Sequence, residues 1–136
     1  IRTYYERYAG QNVTTDEFRR VMEDAANRDL SWFFEQWLRQ PGYPVLNAAW
    51  TYDAAVNEVV VSVTQAQSDS WPAFRLPMEI RVETASRKFE SHSVEMRERV
   101  QRFRIPADAE PRTVTIDPRG WVLKGEGRTR HVARLN

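Results

Sequence analysis

The sequence predicts an α+β protein: a short N-terminal segment of about three helices, followed by an antiparallel, Ig-like β-sandwich of about seven strands. Two observations carry this prediction. Before about residue 44, apolar residues recur three or four positions apart, as on one face of a helix. After it, they alternate with polar residues, as in strands that bury one face. We therefore expect helical residues 1–44, a β-sandwich at 45–124 and a basic tail at 125–136.

Three helices are expected before the Pro41–Gly42 break. A T-x-x-E capping box at Thr14 and Glu17 starts the second helix, and Asn27 ends it. Asp29 is the expected N-cap of the third helix. The apolar positions at helical spacing are Ile1, Tyr4, Tyr5 and Tyr8 in the first helix, Phe18, Val21, Met22 and Ala25 in the second, and Leu30, Phe33, Phe34, Trp37 and Leu38 in the third. Those of the second helix are expected to be buried, and so are Phe33, Phe34 and Trp37 of the third.

The strand region shows its clearest alternation at residues 74–82, where every second residue is apolar. Pro77 falls on the outward side of this strand, and because proline has no N–H to donate, it predicts an edge strand or a bulge. Turn signals such as D-P-R-G at residues 117–120 separate the strands. The expected strands are about 46–52, 59–64, 74–82, 88–96, 100–105, 113–117 and 121–124.

Composition excludes several classes of protein. The chain has 136 residues, of which 41% are hydrophobic and 29% charged, as in an ordinary globular domain. No apolar run approaches the ~18 residues of a membrane-spanning helix. Cysteine is absent, which excludes disulfides and thiolate metal sites but leaves the cellular compartment open.

The net charge of +1 arises at the C-terminal end. Residues 124–136 contain four basic side chains and one acidic side chain. We interpret this tail as a solvated terminus whose deletion leaves folding intact, and we expect no nucleic-acid partner. A tether for nucleic acid or anionic lipid is the weaker alternative.

No catalytic, cofactor or metal site is expected within these residues. The two histidines, His92 and His131, lie 39 positions apart, and neither precedes a glutamate. A catalytic zinc site of the peptidase kind needs two imidazoles one helical turn apart, a third ligand and a carboxylate beside the bound water. We interpret His92 as a strand residue at the sandwich surface and His131 as a tail residue. The carboxylate pairs, which we expect to be solvated helix charges, are Asp16 with Glu17 and Glu23 with Asp24.

The five tryptophans have different expected environments. Helical spacing places Trp37 in the core. Trp32 falls off that stripe and is expected to face another part of a longer protein. Trp50 and Trp121 lie on predicted strands and are expected to be buried, whereas Trp71, in a loop, is expected to be exposed.

Several segments are similar to one known family. Residues 14–18 resemble its T-T-D-D-F/W helix start, residues 29–38 its D-x-x-x-F-F-x-Q-W-L segment, and residues 41–44 its P-G-x-P exit. The strand region is similar more loosely, at 50–53, 74–77 and 114–118, and all these segments occur in the family's order. The family is the aminopeptidase N-type zinc metallopeptidases, or gluzincin aminopeptidases. The resemblance implies the C-terminal portion of such an enzyme: the last helices of the catalytic domain and the β-sandwich that follows.

The same resemblance implies that the catalyst lies elsewhere. The family's H-E-x-x-H zinc motif is absent here, and its zinc ligands, general base and transition-state tyrosine precede the matching segment. Zinc is therefore implied for a parent enzyme alone. The expected partners are the remainder of the parent catalytic domain and the parent's peptide substrate, and we expect self-association of the isolated chain through residues 1–40. The alternative is a binding or scaffold β-sandwich module, a pseudo-enzyme segment without peptidase activity.

Overall fold

The computed structural model describes residues 1–85, 88–125 and 127–135. Within them, three helices precede seven strands, which confirms the predicted α+β class with a β-sandwich. Two compact units are present, Ile1–Gln40 and the residues from Pro41 onward. The helices are α1 (Arg2–Tyr8), α2 (Thr15–Ala26) and α3 (Ser31–Leu38), and the strands are β1 (Leu46–Asp53), β2 (Glu58–Gln65), β3 (Leu76–Thr84), β4 (Phe89–Met96), β5 (Val100–Pro106), β6 (Pro111–Ile116) and β7 (Thr129–His131).

Helix α2 begins and ends at the predicted residues. The Thr14 hydroxyl accepts a hydrogen bond from the Glu17 N–H at 3.3 Å, and the Glu17 carboxylate accepts one from the Thr14 N–H at 2.8 Å. This reciprocal capping box satisfies backbone donors that a helix start leaves open. Asn27 ends the helix in the left-handed conformation, with φ of 48°. No helix in the described ranges has the length and apolar content to cross a membrane.

Helix α3 begins slightly differently from the prediction. Its N-cap is Leu30, which has no side-chain cap, and not Asp29. The Asp29 carboxylate still accepts a hydrogen bond from the Ser31 N–H at 2.9 Å, so it caps the helix from one residue farther out. The Leu30 N–H donates to the Glu23 carboxylate at 3.0 Å. Glu23 is therefore not a purely solvated charge as expected, because it joins the end of α2 to the start of α3.

Fewer residues of the helical unit are buried than the apolar spacing predicts. Val21 is 1% exposed, and it is the one buried apolar side chain among the described residues of the three helices. Phe34 and Trp37 are half-buried, but Phe33 is 44% exposed and Ala25 is exposed as well, so the prediction of burial is wrong for these two. Leu38 is 61% exposed. Five of the eight residues of α3 are large and apolar. They cover too wide an arc of a two-turn helix for one neighbouring helix to bury.

The sandwich consists of a four-stranded sheet in the order β5-β2-β1-β7 and a three-stranded sheet in the order β4-β3-β6. The predicted alternation of β3 is confirmed, because Phe74 and every second residue through Val82 are buried. On the other sheet, Val59, Val61 and Val63 are fully buried. The core of this unit therefore lies between the two sheets, where period-2 side chains meet.

Strand β3 is central in its sheet, so the edge position predicted from Pro77 is wrong. The ladder to β6 joins only Ile80–Thr84 of β3, whereas Pro77 pairs with Glu95 of β4 alone. The register shift in β3 falls between Glu83 and Thr84, and not at the proline. A proline is tolerated here because β3 has a neighbour on one side only at this point.

The last strand is not where the alternation placed it. Residues 121–124 form no strand, which corrects that prediction, and β7 lies instead at Thr129–His131. It pairs with β1 in parallel, from Ala48–Thr129 to Trp50–His131. A sheet interaction thus occurs within the residues expected to be a solvated tail. That expectation does not hold for Thr129–His131.

Candidate functional site

The three helices are joined by a continuous set of aromatic contacts. Tyr4 of α1 meets Phe18 of α2 edge-on, with ring centroids 4.8 Å apart. Phe18 meets Phe34 of α3 at 5.9 Å, and Phe33 lies 5.9 Å from Phe34 and 6.4 Å from Trp37. Edge-to-face pairs of this kind stabilise packing by about 0.5–1.5 kcal/mol beyond area burial. We call these five residues the helical aromatic face.

A groove of about 370 Å³ runs along the helical aromatic face. Besides those aromatic rings, it is lined by Val13, Thr14, Thr15 and Leu38. Leu38 and Phe33 present 61% and 44% of their surface to water. An apolar groove with large exposed side chains is typical of a surface that another protein element covers. Its mostly apolar lining suits packing.

A second groove of about 560 Å³ in the same unit is charged. The Asp16 carboxylate lies 3.8 Å from Arg19 and 4.0 Å from Arg39, and Arg39 lies 3.6 Å from Glu35. Exposed pairs of this kind contribute little to stability, typically about 0–1 kcal/mol. Trp32 lines this groove and is half-buried, so the prediction that it faces another part of a longer protein stays a prediction.

Two carboxylates of the helical unit have lowered pKa values because they cap helices. Hydrogen bonds from the Thr14 N–H and hydroxyl lower the pKa of Glu17. Hydrogen bonds from the Ser31 hydroxyl and N–H lower the pKa of Asp29. Both groups therefore stay ionised at neutral pH and serve backbone structure. A general acid or base would need a pKa nearer the working pH.

The structure does not bring the two histidines into a shared site. His92 lies on β4 in the three-stranded sheet, and His131 lies on β7 in the four-stranded sheet. His92 pairs in register with the buried Ile80, so it faces inward and is half-buried, and it is not the simple surface residue expected. Its Nε2 lies 3.7 Å from the Glu90 carboxylate. Across the described ranges, no group of three or more His, Cys, Asp or Glu side chains is placed to hold a metal ion.

A pair of buried glutamines, which the sequence analysis missed, organises the loop after β2. Gln65 is 2% exposed and Gln67 6%. Gln65 bonds both backbone groups of Phe74, accepting from its N–H and donating to its carbonyl, each at 2.8 Å. The Gln67 side chain donates to Gln65 at 3.0 Å. Arg99 bonds the carbonyls of Gln67, Ser68 and Trp71. The only sequence signal is Q-A-Q within an apolar alternation.

Trp71 is half-buried, and not exposed as predicted, because this loop holds it against Gly42. A side chain at position 42 would overlap the indole ring, and Gly42 also has φ of +85°. Tyr43 packs beside the same indole, with ring centroids 5.6 Å apart. The glycine in P-G-Y-P is thus required by both its conformation and the close approach of Trp71.

Trp121 is 72% exposed, so its predicted burial is wrong. The buried Asp117 carboxylate accepts hydrogen bonds from the Trp121 and Val122 N–H groups, at 2.9 and 3.2 Å, and contacts Lys124 Nζ. These N–H groups are bound to a side chain and not to a strand, which is why W-V-L-K forms a loop. The Arg119 guanidinium lies over the Trp121 ring, 4.8 Å from its centroid.

Part of this chain is similar in sequence to known proteins. It is 34% identical over 65 residues to aminopeptidase N of Escherichia coli K12, over 48% of this chain and 7% of that protein. It is 30% identical over 56 residues to aminopeptidase N of Lactococcus lactis subsp. lactis, which covers 41% of this chain and 7% of that protein. Aminopeptidase N of Lactobacillus helveticus is 33% identical over 48 residues, which cover 35% of this chain and 6% of that protein. No protein-family model matches the chain.

This chain contains a region related to aminopeptidase N. The matched segments span only about 7% of the length of the E. coli and L. lactis relatives. The residues described here do not fit a zinc ion, since neither the H-E-x-x-H motif nor a three-ligand cluster is among them. Their side chains offer packing surfaces and buried hydrogen-bond networks.

Proposed function

We propose that this chain is a non-catalytic, C-terminal part of an aminopeptidase N-type zinc metallopeptidase. Its helices would complete the catalytic domain, and its sandwich would brace that domain. The parent would remove N-terminal residues from peptides by means of a zinc-activated water. The identity of 30–34% to aminopeptidase N from three bacteria carries this proposal.

The exposed groove of the helical aromatic face supports the proposal. Three short helices leave Phe33 and Leu38 in water, at 44% and 61% exposure. Burial of a large apolar side chain stabilises a protein by about 1.5–3 kcal/mol relative to exposure. The remainder of a catalytic domain would provide that burial. In the parent, zinc would be held by residues outside this chain.

The test uses the full-length protein and the 136-residue chain side by side. Bound zinc is measured by elemental mass spectrometry, and turnover is measured with an aminoacyl chromogenic substrate before and after chelation. We expect zinc and chelator-sensitive aminopeptidase activity in the full-length protein, and neither in the chain alone. Turnover by the chain above a metal-only blank would contradict its non-catalytic role. A full-length protein without zinc or activity would favour the binding or scaffold alternative.

A further inference from the structure

The linker, residues 41–45, follows the helical unit and leads into β1. Just before it, the Gln40 N–H still bonds the Glu35 carbonyl at 3.1 Å, at the end of α3. Two residues later, at Gly42, the indole of Trp71 lies against the backbone. Pro41 alone separates these two positions, and its ring fixes its own φ and restricts the residue before it. The backbone is therefore constrained from the end of α3 into the linker.

Trp71 packs on the linker so closely that only glycine fits at position 42. A Cβ there would lie 2.3 Å from two carbons of the indole ring. Tyr43 packs beside the same ring, with centroids 5.6 Å apart. One indole thus contacts two consecutive residues of the linker, and it blocks movement of the linker toward the loop that carries Trp71.

Backbone hydrogen bonds hold the indole in this position. The Arg99 guanidinium donates to the carbonyl of Gln67 at 3.0 Å and to the carbonyl of Trp71 itself. The Trp71 N–H donates to the Ser68 carbonyl at 3.0 Å. Hydrogen bonds from an ionised donor are roughly twice as strong as those between neutral groups. The loop that carries Trp71 is therefore a fixed support for the linker.

The second half of the linker is bonded to two other segments of the sandwich unit. Pro44, whose side chain is fully buried, accepts a hydrogen bond from the Gly125 N–H at 2.8 Å. The Val45 carbonyl accepts one from the Ala66 N–H at 2.7 Å. The Val45 N–H donates to the buried Gln67 side chain at 3.3 Å. Every residue from Gly42 to Val45 is thus held by packing or by hydrogen bonds.

We propose that Trp71 is a positioning residue: it clamps the linker to the sandwich, and the sandwich braces the parent's catalytic domain through this clamp. The inference rests on the proposed function, in which the helical unit completes the catalytic domain. A brace acts only through a connection that does not yield, and the contacts of residues 42–45 provide one. Misplacement of reacting groups by about 1 Å can lower a rate about 100-fold, even when its cause lies far from the chemistry. Trp71 would therefore affect turnover without touching substrate.

Amide hydrogen exchange in the full-length protein tests whether the clamp holds the linker. In Trp71→Ala, we expect the amides of Val45 and Gly125 to exchange severalfold faster, because the linker opens without breaking its packing on the indole. Trp71→Phe should restore most of the protection, since a smaller ring still packs on Gly42. The matched control is Trp121→Ala, which removes a 72% exposed indole from the same unit and should leave both amides protected.

Steady-state kinetics of the same variants test whether the clamp positions the catalytic domain. We expect Trp71→Ala to lower kcat by about 10- to 100-fold at unchanged zinc content, whereas Trp71→Phe and Trp121→Ala stay near the unsubstituted enzyme. A merely structural role would lower the melting temperature and leave kcat of the folded enzyme unchanged. Gly42→Ala is a second variant, because its Cβ displaces the indole without removing it.

The outcomes separate this inference from the proposed function. Protected amides in folded Trp71→Ala, or faster exchange with an unchanged kcat, overturn the positioning role and leave the proposed function intact. An unsubstituted full-length protein without zinc or aminopeptidase activity overturns the proposed function instead, and exchange of Val45 and Gly125 still shows whether Trp71 holds the linker. If Trp71→Ala fails to fold, Gly42→Ala provides both measurements.

Discussion

The imidazole of His131 stacks on the indole of Trp50, with ring centroids 4.2 Å apart and 23° between the planes. Trp50 is 4% exposed and belongs to the core of the sandwich. The two residues are paired in register between β1 and β7, and the Val132 N–H donates to the Trp50 carbonyl at 2.9 Å. The three residues of β7 therefore cover a core side chain and close one edge of the four-stranded sheet.

Deleting residues 125–136 should destabilise the protein by about 2–4 kcal/mol. The deletion removes the His131 stack, worth about 0.5–1.5 kcal/mol, and several backbone hydrogen bonds, worth about 1 kcal/mol each. The latter include Ala48 N–H to the Arg128 carbonyl at 2.7 Å. Denaturant midpoints of the full chain and the truncated chain measure the difference. Equal midpoints would mean that β7 contributes nothing, as the charge pattern alone suggests.

Gln65→Ala should cost about 2–4 kcal/mol. It leaves the N–H and carbonyl of Phe74 without their side-chain partner in a buried place, and each unsatisfied group costs about 1–3 kcal/mol. Gln11→Ala is the matched control, since the Gln11 side chain is exposed and donates to the Arg7 carbonyl at a longer 3.5 Å. The control should change stability by less than about 0.5 kcal/mol. Thermal unfolding of both variants is sufficient, and similar losses would refute the role of the glutamine pair.

Glu23→Ala should destabilise the helical unit by about 1.5–3 kcal/mol, as the loss of a hydrogen bond to a charged acceptor does. The carboxylate accepts the Leu30 N–H at 3.0 Å, at the start of α3. Asp24→Ala is the control, because Asp24 is exposed and its ion pair with Arg7 is 3.7 Å long. The stability of the two variants is compared by urea titration, with helix content followed by circular dichroism. An Asp24 variant as unstable as the Glu23 variant would show that net charge, and not the hydrogen bond, is responsible.

The pKa of Glu95 should rise toward its ordinary value of 4.5 in the double variant R75A/R97A. Hydrogen bonds from Arg75 at 2.7 Å and from Arg97 hold this pKa below 4.5 in the folded protein. Because the folded pKa is lowered, the stabilisation is fully present above pH 4.5 and is lost as the pH falls through the folded value. An NMR titration of the Glu95 side-chain carboxyl carbon measures both forms. An unchanged titration curve would contradict the assigned cause.

The isolated chain should self-associate through the helical aromatic face, since Phe33 and Leu38 in its groove are 44% and 61% exposed. Leu38→Glu should weaken this association, because a charge would enter the groove and resist desolvation. Leu123→Glu is the matched control in the sandwich unit, at 70% exposure against 61% for Leu38. Sedimentation velocity over a concentration series measures both variants. A strict monomer would contradict self-association. A dimer that is weakened by Leu123→Glu alone would place the association surface in the sandwich unit.

Periodicity and capping chemistry in the sequence predicted most of the fold. The capping box of Thr14 and Glu17 and the alternation of β3 are local signals, and both hold in the structure. Strand β7 has no such signal, because three residues are too few to show an alternation of apolar and polar side chains. Its position depends on β1, roughly 80 residues earlier.

The same limit applies to the environments of individual side chains. The W-V-L-K segment has the composition of a strand, but the Asp117 carboxylate accepts hydrogen bonds from the Trp121 and Val122 N–H groups. Exposure of Phe33 depends on how many helices are available to cover α3, which spacing within α3 does not encode. The grooves of the helical unit follow from tertiary packing in the same way.

The parallel pairing of β1 with β7 also sets an order of events during synthesis. Of the described strands, β1 leaves the ribosome first and its partner β7 leaves last. At about 5–20 residues per second, His131 emerges roughly 4–16 s after Trp50, which lies 81 positions earlier. Through that interval, the hairpin of β1 and β2 has an open edge beside a large indole. A nascent chain is thus most exposed to mispairing at the edge of β1 that β7 later covers.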